Sequence, residues 1–112
     1  MFKLNQSESF SWPVEVMIAG NGGKFTKETF DVEFKRVDES RLQEIAMAVA
    51  RDDMGDRDVV KEVVVGWGGI TDNGEAVPFS PSNLDRVLEV PGVARAIARS
   101  FVAAHRGAAA KN

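Results

Sequence analysis

The chain has 112 residues, 44% of them hydrophobic and 28% charged, a size and balance that fit one soluble globular domain rather than a disordered segment. Its formal charge of −3 is too mild and of the wrong sign for global attraction to nucleic acid or an anionic membrane. It contains no cysteine, so disulfide and thiolate chemistry are excluded, and no apolar run reaches the ~20 residues that span a bilayer. The first residues, Met1 to Ser9, lack an apolar signal core. A cytoplasmic rather than a secreted protein is expected.

Trp12 to Ile18 alternates, with Val14, Val16 and Ile18 on one side and Glu15 and Met17 on the other. Gly20, Gly22 and Gly23 follow, and a second alternating run from Phe25 to Val37 sets Phe30, Val32 and Phe34 opposite Thr29, Asp31, Glu33 and Lys35. Two half-buried strands around a glycine-rich reversal predict a β-hairpin over about 12–37. Pro13 has no N–H and belongs at a strand start or on an edge.

A lone hairpin is marginal in water and needs cover. Ser40 with Gln43 fits a capping box, and Leu42, Ile45, Ala46 and Val49 then recur at helical spacing. Asp56 is placed to cap the next segment. There Val59, Val60, Val63 and Val64 have helical spacing, yet valines are stiff at χ1 and favour strands. Helix is the preferred reading of 57–66, with strand left open. Gly66 to Gly69 breaks that segment, and Asp72-Asn73-Gly74 is a turn by its chemistry.

Ser80-Pro81 reads as a helix start, with Ser as N-cap and Pro where no N–H is needed. Leu84, Val87 and Leu88 give that short helix an apolar face. Pro91-Gly92 interrupts, and Val93, Ile97, Phe101 and Ala104 line the last helix opposite Arg95, Arg99 and Arg106. The predicted fold is α+β: an N-terminal β-hairpin followed by about four short α-helices in a single small domain spanning 1–112. Residues 1–10 and 107–112 are expected to be flexible ends.

No catalytic or metal constellation emerges. Asp52, Asp53, Asp56 and Asp58 lack the spacing and closing Glu of a calcium loop, and read as a solvated interhelical loop. His105 is the only histidine and has no cysteine or second histidine to join it; a structural place near a helix C-terminus is expected. Gly20 to Lys24 opens a second strand, not a helix, so it is no phosphate loop. Arg86, Arg95, Arg99 and Arg106 lack interleaved aromatics and read as a solvated face. The chain is therefore expected not to be an enzyme, and to use no cofactor and no metal. Trp67, flanked by glycines, fits the core better than an interface, and Phe79 fits the joint between a loop and the following helix.

The order of these pieces carries a resemblance. Phe34-Lys35-Arg36 precedes Ser40-Arg41 with Glu44-Ile45. Then come Val65-Gly66-Trp67, the run from Asp72 to Ser80 (Asp-Asn-Gly-Glu-Ala-Val-Pro-Phe-Ser), Asn83-Leu84, and Pro91 to Ile97 leading to Phe101. From about Phe30 to Phe101 the chain resembles the tail assembly chaperones of long-tailed bacteriophages and prophages. Each piece is a turn or cap that other folds use; the ordered set is what resembles the family.

The resemblance implies a non-enzymatic assembly factor. It would coat the tape measure protein until tail tube subunits polymerise around it, self-associate, work in the host bacterial cytoplasm, and be missing from the finished virion. Nucleic acid and membrane are not expected partners. Candidate protein-binding residues are Trp12, Val14, Val16 and Ile18 on the sheet edge, Trp67 and Phe79, and Ile97 and Phe101 on the last helix. The family's short and frameshifted long forms direct attention to Ala110-Lys111-Asn112, which can be encoded as GCA AAA AAC, containing a slippery heptamer. The alternative reading is a structural tail protein: a tube, terminator or connector subunit.

Overall fold

A computed structural model of the chain describes residues 1–51 and 55–107. Asp52 and Asp53 of the acidic run, and the tail from 108 with Ala110-Lys111-Asn112, lie outside the described residues. Strands β1 (Ser9–Ala19) and β2 (Phe25–Lys35) form the expected hairpin, in register from Ser9 opposite Lys35 to Ala19 opposite Phe25. A 3-10 turn at Asn21–Gly23 reverses the chain, closed by Gly20 N–H donating to the Lys24 carbonyl at 2.8 Å. The hairpin begins earlier than its valine pattern indicated, because Phe10 shares the inward phase and packs on Phe34 with ring centroids 6.0 Å apart.

After β2 come α1 (Glu39–Arg51) and α2 (Asp56–Val63). The four-valine segment is then both of the structures weighed for it. Val59, Val60 and Val63 are buried on α2, and the chain passes without a spacer into β3 (Val64–Gly68), which pairs antiparallel with β2. The sheet order is β1-β2-β3, with a bulge between Glu33 and Phe34 that leaves Val65 as the extra residue.

Beyond it, β4 (Thr71–Asp72) and β5 (Glu75–Ala76) make a small second hairpin. Its two-residue loop, Asn73-Gly74, has both φ angles positive, at 51° and 82°. That is the backbone an Asn-Gly pair tolerates and most residues do not. Helices α3 (Pro81–Leu88) and α4 (Val93–Arg106) complete the chain. Gly92, at φ 87°, turns one into the other.

All helices lie on one face of the sheet. Val14, Val16, Val32 and Phe34 from that face are buried against Leu42, Ile45 and Val49 of α1, Val59, Val60 and Val63 of α2, and Val93, Ile97 and Phe101 of α4. Each such burial contributes about 1.5–3 kcal/mol against exposure. The opposite face of the hairpin carries Ser11, Glu15, Lys27, Asp31 and Glu33 into solvent. The fold is a two-layer α+β domain with a single apolar seam.

Two helix starts differ from expectation. The cap of α1 is Asp38, whose Oδ1 accepts from Arg41 N–H at 2.9 Å, and not Ser40, which lies inside the first turn. For α2, Gly55 occupies the N-cap position and Asp56 is the first helical residue. Ser80 caps α3 as expected, its Oγ accepting from Asn83 N–H at 3.0 Å.

Candidate protein-binding surface

The sequence-derived contact residues fall into two groups. Val14, Val16, Ile97 and Phe101 are core residues, each less than 5% exposed. Their phase in β1 and α4 turns them toward each other through the seam, and the Phe101 ring stands edge-on to Phe34 at 5.4 Å. Val14, Ile97 and Phe101 are therefore packed inside the fold and not exposed as contacts, while Val16 reaches a surface recess only as buried floor. Trp12, Ile18, Trp67 and Phe79 remain at least partly accessible.

Trp12 sits on β1 opposite Val32, which in turn faces Trp67 on β3. β1 is an edge strand, so Trp12 is at the margin of the row, 36% exposed and edge-on to Phe10. Trp67 is half-buried and anchored: its Nε1–H donates to the Val77 carbonyl at 2.7 Å, and Phe79 stands edge-on to it at 5.0 Å. Phe79 thus joins the 69–80 loop to the start of α3, where it borders Val64, Pro81 and Leu84. These two aromatics fix the small hairpin against the body.

That fixing creates a cleft. Ile70, Thr71 and Val77 form one wall, and Val87 and Val90 from the α3–α4 corner form another. Val16, Ile18 and Phe30 form the floor, on the inward face of the hairpin's outer half. The cleft encloses about 300 Å³, at the lower end of the usual range for small-ligand pockets. Arg86 Nη2 and Asp72 Oδ2 bridge its rim at 2.9 Å. Glu28 projects along the same apolar wall, opposite Val16.

Of the expected contact residues, the cleft collects Val16, as buried floor, and Ile18. The others that line it were not singled out as contact residues from the sequence. The signal for Glu28 was present: stepping back by two from Phe30 along β2 puts a carboxylate on an apolar face.

The remaining polar groups hold the fold. Arg41 donates through Nε and Nη2 to both oxygens of Glu62, the first at 2.8 Å, and through Nη1 to Glu44 at 3.2 Å, tying α1 to α2. These hydrogen bonds hold the Glu62 carboxyl below its ordinary range and the Arg41 guanidinium above its own. Arg86 and Arg95 bind Asp72 and Asp56, so the basic strip read along the sequence is divided among separate ion pairs.

His105 lies beneath Phe10 and against Phe101, with centroids at 5.3 and 4.3 Å. Val37 N–H donates to its Nε2 at 3.3 Å, which makes Nδ1 the protonated nitrogen, 3.1 Å from the Phe101 carbonyl. Burial pushes its pKa down, and nearby Arg36 adds to this. The ring is therefore a neutral structural bridge, in the structural place near the helix C-terminus expected of it.

Among the described residues no group of three or more His, Cys, Asp or Glu is placed to hold a metal ion, and no helix is long and apolar enough to cross a membrane. Compared with protein-family models, curated proteins and solved structures, the chain matches none. Among the described residues, the cleft and the outer edge of β1 are two surfaces open to interaction.

Proposed function

We propose that this chain is a non-catalytic phage tail assembly chaperone that binds and shields the tape measure protein and helps recruit tail tube subunits. The observation that supports the reading is the cleft, a partly apolar recess of about 300 Å³ on the inward side of the hairpin that the chain's own helices leave open. Apolar recesses of this kind receive side-chain anchors from an amphipathic helix. The ordered motifs from Phe30 to Phe101 give the reading its client. Many copies, each binding weakly along one long helical client, sum to strong coverage through effective concentration. The work is done in the host bacterial cytoplasm, and the finished virion lacks the chain.

Co-expression tests it. The tape measure protein from the same gene cluster should stay soluble and co-purify with this chain, and aggregate without it. A client equally soluble alone would remove shielding as the activity.

One observation favours the second reading, a structural tail subunit. β1 is an 11-residue strand whose outer edge is unpaired among the described residues, and such an edge can extend a neighbour's sheet into a ring. Mass spectrometry of purified particles separates the two: a chaperone is missing, a tube or terminator subunit is present in stoichiometric amount. The frameshifted longer form is a separate proposal, decided by reading the codons of Ala110 to Asn112 and the frame beyond them.

A further inference from the structure

The cleft has a mixed lining, and Glu28 is one of its charged members beside Asp72 and Arg86. Phe30, Val32 and Phe34 occupy the helix-covered face of β2, and Glu28 continues that phase, opposite Val16. Its carboxylate is exposed at the cleft and makes no hydrogen bond or ion pair with another described residue. The nearby charges are engaged elsewhere. Arg86 bridges Asp72 at 2.9 Å on the rim, and Lys27 bridges Glu15 at 3.7 Å on the opposite face of the hairpin.

A carboxylate without an ion-pair partner in a partly apolar cleft is harmless while water reaches it. An occupant that covers the wall strips that water. The carboxylate then strongly disfavours the complex unless the occupant brings a cation to it. A carboxylate so placed favours apolar segments bearing Lys or Arg over neutral or acidic ones. The chain's net charge of −3 acts in the same direction at longer range.

We propose that the cleft bounded by Ile18, Glu28, Phe30, Ile70, Val87 and Val90 is the docking site for an amphipathic client helix. That helix carries a Lys or Arg at the margin of its apolar stripe, and Glu28 pairs with the cation. This rests on the shielding reading above and adds the residue that selects the client segment. At about 300 Å³ the cleft accepts side chains rather than a whole helix, so the helix lies across the opening with its anchors inside. The competing occupant is a second copy of this chain, because Phe2 and Leu4, 83% and 89% exposed, flank Lys3.

The test uses the full chain, its Glu28→Lys and Glu28→Gln variants, and two synthetic helical peptides. Both peptides carry the same leucine stripe; one has Lys beside it, the other Glu. The wild type should bind the Lys peptide about tenfold or more tighter than the Glu peptide, and less so at high salt. Glu28→Lys should reverse the preference and Glu28→Gln should erase it. Methyl resonances of Ile18, Val87 and Val90 should move on binding. Equal binding of the two peptides, no binding of either, or shifts elsewhere would overturn the proposal.

So would a wild-type dimer that dissociates on Glu28→Lys or on Lys3→Glu, since that gives the cleft to a second copy. Glu28 is exposed, so the variants should fold, and circular dichroism checks this. Co-expression with the tape measure protein separates the two levels. If wild type and Glu28→Lys both co-purify with it, the site is wrong and shielding stands. If the wild type does not co-purify while the peptides discriminate, the cleft stands and the client assignment falls.

Discussion

His105 shows how one side chain ties three elements. It receives the Val37 N–H at the exit of β2, donates back to α4 at Phe101, and supports Phe10 of β1. Only the neutral ring does this, because protonation would place an N–H at Nε2 against the Val37 N–H and a charge beside Arg36. Its folded pKa lies below the ordinary value of about 6.5. The unfolded chain then binds more protons in the interval between the two values. The contribution of His105 is complete above pH ~6.5, falls as pH drops through that interval, and levels off once both states are charged. Thermal unfolding from pH 8 to 4 should show the decline, and His105→Gln should flatten that part of the curve. An unchanged profile in the variant would mean that other groups cause it. From the sequence, the residue could be recognised as structural, but its contact with Phe10, distant in the chain, could not.

At the scale of elements, the start of α1 separates two capping schemes. Ser40 and Gln43 have the spacing of a capping box, yet Asp38 Oδ1 holds the Arg41 N–H, and the Asp38 carbonyl accepts from Leu42 N–H at 2.9 Å. Asp38→Ala should cost about 1 kcal/mol, read by urea denaturation, whereas Ser40→Ala should be nearly neutral. The reverse order would restore the box. The miss has a local reason: Asp38, Glu39 and Ser40 are consecutive candidates, and the exit of β2 at Lys35 sets which of them enters the helix. The hairpin, the Ser80 cap and the Pro91-Gly92 break were legible because each depends on neighbours in sequence. β3 was legible only as the alternative left open for 57–66, since nothing local ends the helix at Val63. Pairing of Val64 with Phe34, a long way back along the chain, converts a helical valine run into a strand. The site was half-legible for a related reason. An apolar side chain announces that it will be covered, but Val14 and Phe101 are covered from within and Ile18 lines an open recess. Only the assembled layers distinguish the two.

At the scale of the whole molecule, the long edge of β1 has to remain single for the chain to stay discrete. Ladder bonds alternate along an antiparallel strand. Glu8 and Gly20, at even positions, bond toward β2, through Arg36 N–H to the Glu8 carbonyl and Gly20 N–H to the Lys24 carbonyl. The odd positions of β1 therefore face outward: Ser9, Ser11, Pro13, Glu15, Met17 and Ala19. Pro13 is at one of them, opposite Asp31, where its missing N–H costs the hairpin nothing and removes a donor from the open edge. Glu15 adds a charge next to it, another common device against edge pairing. Pro13→Val should change monomer stability by less than ~1 kcal/mol, because no existing ladder bond is altered. It should, however, restore the donor at the middle of the edge and raise concentration-dependent association, measured by sedimentation velocity at matched loading. Adding Glu15→Val should raise it further. If both variants sediment as the wild type does, the free edge is not what limits association. The cleft, which Pro13 does not line, is then the next surface to test, and Glu28→Lys tests it by itself.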